Sequence, residues 1–309
     1  TFFHTPSNPF TTSCPFITMN SSSNIKSETE DKSISNAISD SKSKTILLIH
    51  GLWVTPRSWE KFQGRYESQG YKVLAPAWPG IKGEVEEMRR DPSSFNNIGI
   101  KEVLAHYTAI IKTLPEKPII IGHSYGGLIT QLLMDRGLGA AGVAIDSVPA
   151  KGIILLPPST IEALTPALLN PFNIGGTYLF PFKRWWRVFA NSLNEEEARA
   201  AYERYAIAAP ERAIFQAALS NVTPGSPAAI NFNNSTRGPL LFIGGEKDVI
   251  MPASLNRKNF RKYKNAKATT EYKEFPGRSH FIIGEQGWEE VADYALTWAE
   301  EKSAVAMDA

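Results

Sequence analysis

From Thr45 onward the chain switches repeatedly between two hydrophobic periods. Thr45–Ile49 (TILLI) is a continuous apolar run, the pattern of a strand buried on both faces. Residues 59–69 read as a helix ended by Gly70, and 71–75 as a second strand before a loop at 76–80. Ile100, Val103, Leu104, Tyr107, Ile110, Ile111 and Leu114 recur at helical spacing, and 118–121 form a third strand. Tyr125, Leu128, Ile129, Leu132 and Leu133 give another apolar stripe, stopped by Gly137. Ala141–Ile145, residues 240–243 and Thr270–Phe275 read as three more strands. Trp288, Val291, Ala292, Ala295 and Trp298 mark a last helix. Strands alternating with helices predict an α/β domain over 45–302, a parallel sheet with helices on both faces.

Two regions break this pattern. Residues 148 to about 237 are rich in Pro, Phe and Trp and show no clear buried strand, only helical stretches at 194–207 and 211–219. They read as an insertion between two strands. Residues 1–44 bury too little to offset their ordering entropy and are expected to be a disordered polar tail. Met19 is a candidate start, with the preceding residues then lying upstream of the native chain. Residues 303–309 are expected to be a C-terminal tail. No internal repeat is present.

Composition narrows the function classes. The formal net charge of +2 gives no nucleic-acid footprint. No run of 18 apolar residues occurs, so no membrane insertion is expected. Cys14 is the single cysteine, which excludes an intramolecular disulfide and a Cys-rich metal site. No basic and apolar secretory pattern is found, and the first Arg is Arg57, so a cytoplasmic location is expected. No H-E-x-x-H, EF-hand or Walker pattern occurs, so neither metal nor nucleotide is expected. Oligomeric state is not legible.

Gly122-His123-Ser124-Tyr125-Gly126 fits G-x-S-x-G between an apolar strand and an amphipathic helix. A sharp strand-to-helix turn there projects the serine outward, and the glycines leave room for the turn to pack. The alternative is a tight turn with an incidental serine.

The segment resembles the nucleophile elbow of the α/β-hydrolase superfamily, and the resemblance runs from about residue 45 to 302. It implies a mostly parallel α/β-hydrolase sheet with a helical cap at the insertion. The superfamily's order is serine, acid, histidine. Gly245-Glu246-Lys247-Asp248-Val249-Ile250-Met251-Pro252 is similar to its acid loop, and Gly277-Arg278-Ser279-His280-Phe281 to its histidine loop. Ser124, Asp248 and His280 are thus the implied catalytic residues, with Asp146, at the end of a strand, as a second candidate acid. The resemblance makes His50-Gly51-Leu52-Trp53 the oxyanion-hole loop, with the backbone N–H groups of Leu52 and Tyr125 as donors. Trp53, Trp78, Phe182, Trp185 and Trp186 are candidate substrate contacts within an aromatic set that includes Phe172, Tyr178, Phe180 and Phe189. Packing between cap and sheet is the competing role for these rings.

Many superfamily members begin with an antiparallel hairpin, and here the first strand follows the tail directly. A shortened sheet of six parallel strands is expected, ordered third, second, first, with the later positions open. The implied activity is hydrolysis of a carboxylic ester of a small to medium apolar substrate, without cofactor. A lyase, a C–C hydrolase, a thioesterase, a lactonase, or a ligand receptor on the same scaffold fits the same motifs.

Overall fold

The computed structural model describes residues 44–307 apart from 156 and 170. The expected tail, with Cys14 and Met19, lies outside the described residues but for Lys44. Strand β1 (Thr45–Ile49) sits inside a six-stranded sheet with β2 (Lys72–Leu74), β3 (Ile119–His123), β4 (Ala141–Ile145), β7 (Leu240–Gly245) and β8 (Thr270–Phe275). The order is β2-β1-β3-β4-β7-β8 and every pairing is parallel. This corrects the expected third–second–first order, because β1 separates β2 from β3. The chain goes out from β1 to one side and returns across it, which brings the ends of β1 and β3 together (Ile49 opposite Gly122).

The continuous apolar strands have the physical cause inferred for them. Within β1, Ile46 and Leu48 enter one core and Leu47 and Ile49 the other, as period-two alternation between two buried faces requires. One face is covered by α1 (Glu60–Ser68) and the terminal helix α10 (Trp288–Met307), through Phe62, Tyr66, Val291, Ala295 and Trp298. The other is covered by α3 (Ile100–Lys112), α4 (Tyr125–Asp135) and α9 (Ala253–Arg261), with α2 (Val85–Arg90) packed beside them. Helix α3 buries Ile100, Val103, Leu104, Tyr107 and Ile111 of the predicted stripe, while Ile110 is only partly buried and Leu114 lies past the helix end, and Glu102 accepts a hydrogen bond from the Gly99 N–H at its start (3.0 Å). Helix α10 extends past Lys302 to Met307, so the expected C-terminal tail is helical that far. Among the described residues no helix is long and apolar enough to cross a membrane.

The insertion between β4 and β7 is helical: α5 (Pro158–Leu168), α6 (Phe182–Phe189), α7 (Glu195–Tyr205) and α8 (Glu211–Ala218). It also holds a short antiparallel pair, β5 (Thr177–Tyr178) and β6 (Ala209–Pro210), which sequence periodicity did not indicate because two residues carry no period. Asn194 caps α7 by accepting from the Glu197 N–H at 2.9 Å.

Candidate active site

The C-terminal ends of β1, β3, β4, β7 and β8 place the chemically active side chains on one edge of the sheet. Ser124 follows β3 with φ 57° and ψ −116°, a region an L-residue adopts only when its surroundings enforce it. Its N–H donates to Ile145 O (2.8 Å), and its carbonyl accepts from Gly127 and Val148 (both 3.0 Å). Close packing explains the flanking glycines. A Cβ on Gly122 would lie 2.1 Å from Gly126 O, and one on Gly126 would lie 2.0 Å from Ile49 O.

His280 joins Ser124 to an acid. Its Nε2 lies 2.9 Å from Ser124 Oγ, and its Nδ1 lies 2.6 Å from Asp248 Oδ2. Asp248 Oδ1 accepts from the Met251 N–H at 2.8 Å, which fixes the carboxylate plane. All three residues are buried. With Asp248 accepting, His280 Nδ1 carries the proton, and Nε2 presents a lone pair to the serine hydroxyl.

Asp146, the second candidate acid, is buried nearby with φ 43°. Its Oδ1 accepts from the Gly245 N–H (2.7 Å), and its Oδ2 is buried without a hydrogen-bond partner among the described residues. Burial, then the neighbouring Asp248 charge, push the Asp146 carboxyl well above the ordinary carboxylate range. Asp146, His123 and His280 each offer a possible ligand atom to a metal ion, all within 4.8 Å of one another. Both ring nitrogens of His280 are already engaged, so an ion bound through His280 would break its bond to Asp248 or to Ser124.

The loop after β1 abuts the serine. A Cβ on Gly51 would lie 2.7 Å from Ser124 Cβ. His50 Nδ1 donates to Gly51 O (2.9 Å), and its Nε2 accepts from the Trp78 N–H (3.2 Å). Burial pushes the His50 pKa down to about 4, so the ring is neutral and pins this loop. Leu52, Trp53 and Tyr125 wall a small cavity at Ser124. As the first residue of α4, Tyr125 has an N–H with no partner inside the helix. The insertion clamps the same loop: Trp53 Nε1 donates to Tyr178 O (3.0 Å), and the Ile207 N–H to Trp53 O (3.1 Å).

The small cavity (about 30 Å³) shares Val148, Leu164, Ala217, Ala218 and Met251 with a larger one of about 430 Å³. The larger wall comes mainly from α5, the end of α8 and the loop after β4, and it contains no charged side chain. Of the predicted substrate contacts, only Trp53 walls the cavity at Ser124. Trp78 stacks on His50 and leans on Tyr125 (centroids 5.4 and 5.3 Å apart). Phe182 stacks on Trp186, and Trp186 Nε1 donates to Leu193 O. Trp185 is fully buried and stacks on Phe189, whose ring edges against His280 (4.8 Å). None of Trp78, Phe182, Trp185 and Trp186 walls either of these two cavities, and the α6 rings pack against one another and against Tyr202 of α7.

Two positioning residues escaped the sequence reading. His123 Nε2 donates to the His280 carbonyl (2.7 Å), and its ring is held neutral by burial and by the adjacent His280. Glu285, buried, accepts from the Ser279 N–H (3.0 Å), from Ser279 Oγ (2.6 Å) and from Ser192 Oγ. A histidine inside the elbow is the one local signal for His123; Glu285 has none.

Residues 46–294 match the model of the alpha/beta hydrolase family. The chain belongs to that family. No curated protein sequence matches it. Among solved structures it is similar to an extracellular alpha/beta-hydrolase from a Paenibacillus species, at 16% identity and TM-score 0.60, over 83% of this chain and 98% of that one. It is similar to a pyrethroid hydrolase from Sphingobium faniae JZ-2, at 20% identity and TM-score 0.59, over 84% and 98%. It is also similar to a monoacylglycerol lipase from Paleococcus ferrophilus, at 20% identity and TM-score 0.58, over 84% and 94%. At these identities the likeness is one of fold: a six-stranded parallel sheet with a helical insertion.

Proposed function

We propose that this alpha/beta hydrolase is a serine hydrolase that cleaves a carboxylic ester of a small to medium apolar substrate. The observation that carries the reading is the unbroken hydrogen-bond chain from Asp248 through His280 to Ser124, ending in an uncharged cavity. Ser124 Oγ attacks the ester carbonyl carbon as His280 Nε2 takes its proton. Asp248 holds the Nδ1–H tautomer and stabilises the imidazolium. The tetrahedral oxyanion is held by the N–H groups of Leu52 and Tyr125, each contributing about 3 kcal/mol to the transition state. His280 then returns the proton to the leaving alkoxide, and a water activated by the same ring hydrolyses the acyl-enzyme. Asp248 rather than Asp146 is taken as the acid, because His280 Nδ1 bonds to Asp248 while Asp146 Oδ1 accepts from the Gly245 N–H.

The apolar preference follows from the wall of the larger cavity, where a charged group would lose its hydration without a partner. Similar structures named as a pyrethroid hydrolase and a monoacylglycerol lipase accord with it. The test is a panel of p-nitrophenyl esters with the parent and Ser124→Ala side by side. Turnover by the parent that disappears in the variant supports the reading. Ligand binding without turnover by the parent replaces it with a receptor.

A further inference from the structure

Seven large apolar side chains are exposed among the described residues; three of them wall the 430 Å³ cavity, and two more are the sequence neighbours of its wall residues. Ile161, Leu169 and Leu219 wall the cavity yet are 50%, 72% and 48% exposed. Ile154 and Val222, next in sequence to the wall residues Leu155 and Asn221, are 80% and 77% exposed. Scattered exposed apolar residues need no explanation, but several of them on the wall of one cavity mark an interaction surface.

A basic cleft adjoins this rim. Residues 257–267 hold Arg257, Lys258, Arg261, Lys262, Lys264 and Lys267 with no acid among them, in a chain whose net charge is only +2. Lys258, Arg261, Lys262 and Lys264 wall an open cleft of about 800 Å³. Leu155 walls both the cleft and the apolar cavity, and Lys258 Nζ donates to Ile154 O at 2.8 Å. Arg257 pairs with Glu274, whereas Arg261, Lys262 and Lys264 are exposed and pair with no carboxylate among the described residues.

We propose that this face docks on a bilayer surface containing anionic lipid, with the apolar rim seated among the upper acyl chains and the cleft against lipid phosphates. Interfacial binding of this kind combines buried apolar area with attraction to negative headgroups. A nucleic acid would satisfy the cleft but leave the rim in water. Docking itself does not depend on the proposed hydrolysis; only the further step, in which substrate passes from the bilayer into the cavity, rests on that reading.

The experiment is co-sedimentation of the full chain with vesicles of phosphatidylcholine alone and of phosphatidylcholine mixed with phosphatidylglycerol. Binding is expected to the mixed vesicles, to weaken with added salt, and to be unchanged in Ser124→Ala. Each basic residue near the surface strengthens binding about fivefold, so Arg261→Gln/Lys262→Gln/Lys264→Gln together lower the partition coefficient about a hundredfold. Ile154→Ser/Val222→Ser lowers it as well. Both variants keep the parent's melting temperature and its hydrolysis of a soluble short-chain ester, since none of these residues lines the site. Equal binding to both vesicle types, equal binding by parent and triple variant, or binding to an oligonucleotide with none to vesicles would overturn the proposal. Loss of ester turnover with vesicle binding intact would instead strike the hydrolase reading alone.

Discussion

Gly51→Ala probes the close approach between the loop after β1 and the elbow. Gly51 is not among the positive-φ residues, so alanine meets no backbone obstacle there and its effect comes from contact alone. Its Cβ would lie 2.7 Å from Ser124 Cβ, 3.1 Å from His123 O and 3.3 Å from Ser124 Oγ. Carbon atoms in contact prefer about 3.5–4.0 Å, so the loop and the serine must separate by about 1 Å. Overpacking of this kind costs about 1–3 kcal/mol of stability, which at about 2–4 °C per kcal/mol is a fall of several degrees in Tm. The same displacement moves the Leu52 N–H away from the serine, and about 1 Å of misplacement costs on the order of a hundredfold in rate. The assay is kcat/KM on p-nitrophenyl butyrate beside a thermal melt. Gly64→Ala is the control: Gly64 lies inside α1 with nothing within 4 Å of its Cβ position, so alanine there stabilises by about 0.5–1 kcal/mol. A lower Tm with parental kcat/KM for Gly51→Ala would refute the claim that this contact positions the site.

Asp248→Asn is expected to lower kcat about ten thousand-fold, whereas Asp146→Asn, which resembles the protonated acid, retains activity at neutral pH; the reverse ranking would make Asp146 the working acid. The raised Asp146 pKa also has a signed consequence for stability. Between the unfolded carboxyl value, about 4, and the higher folded one, the native state holds a proton that the unfolded state releases, so this group's contribution falls as pH rises. Urea unfolding should therefore show Asp146→Asn gaining stability relative to the parent as pH rises above about 4; a difference that does not change with pH would count against it. Thr165→Trp, on the wall of the larger cavity but not of the one at Ser124, should lower kcat/KM for p-nitrophenyl octanoate tenfold or more, roughly the effect of lost apolar contacts in a substrate pocket, and leave the acetate unchanged. Equal loss on both esters would remove the larger cavity from the substrate path.

The parts of the fold legible in the sequence are those fixed by local pattern. The runs in β1, β3, β4 and β7 are apolar on both faces, which only a covered parallel sheet requires, and the segments that carry Ser124, Asp248 and His280 each stand out within a few residues. The hydrogen-bond chain that joins Asp248, His280 and Ser124 links three such segments, so their meeting follows once the strand ends lie on one edge. The insertion was less legible because its signals are ambiguous. Pro158 and Pro166 read as breakers of 158–168, yet Pro158 begins α5, where its missing N–H is harmless, and Pro166 falls in the last turn. The α6 rings could equally wall a cavity or pack on each other by sequence, and their stacking on one another is visible only in tertiary contact. His123 grips the carbonyl of His280, 157 positions away, and no local pattern encodes such a contact.

Ser124 as an activated nucleophile is tested most directly by intact-mass analysis after treatment with a fluorophosphonate. The folded parent should gain a single adduct that peptide mapping places on Ser124, with none on Ser124→Ala and a greatly slowed reaction for His280→Ala. A folded parent that stays unmodified, or one labelled at another residue, would contradict it.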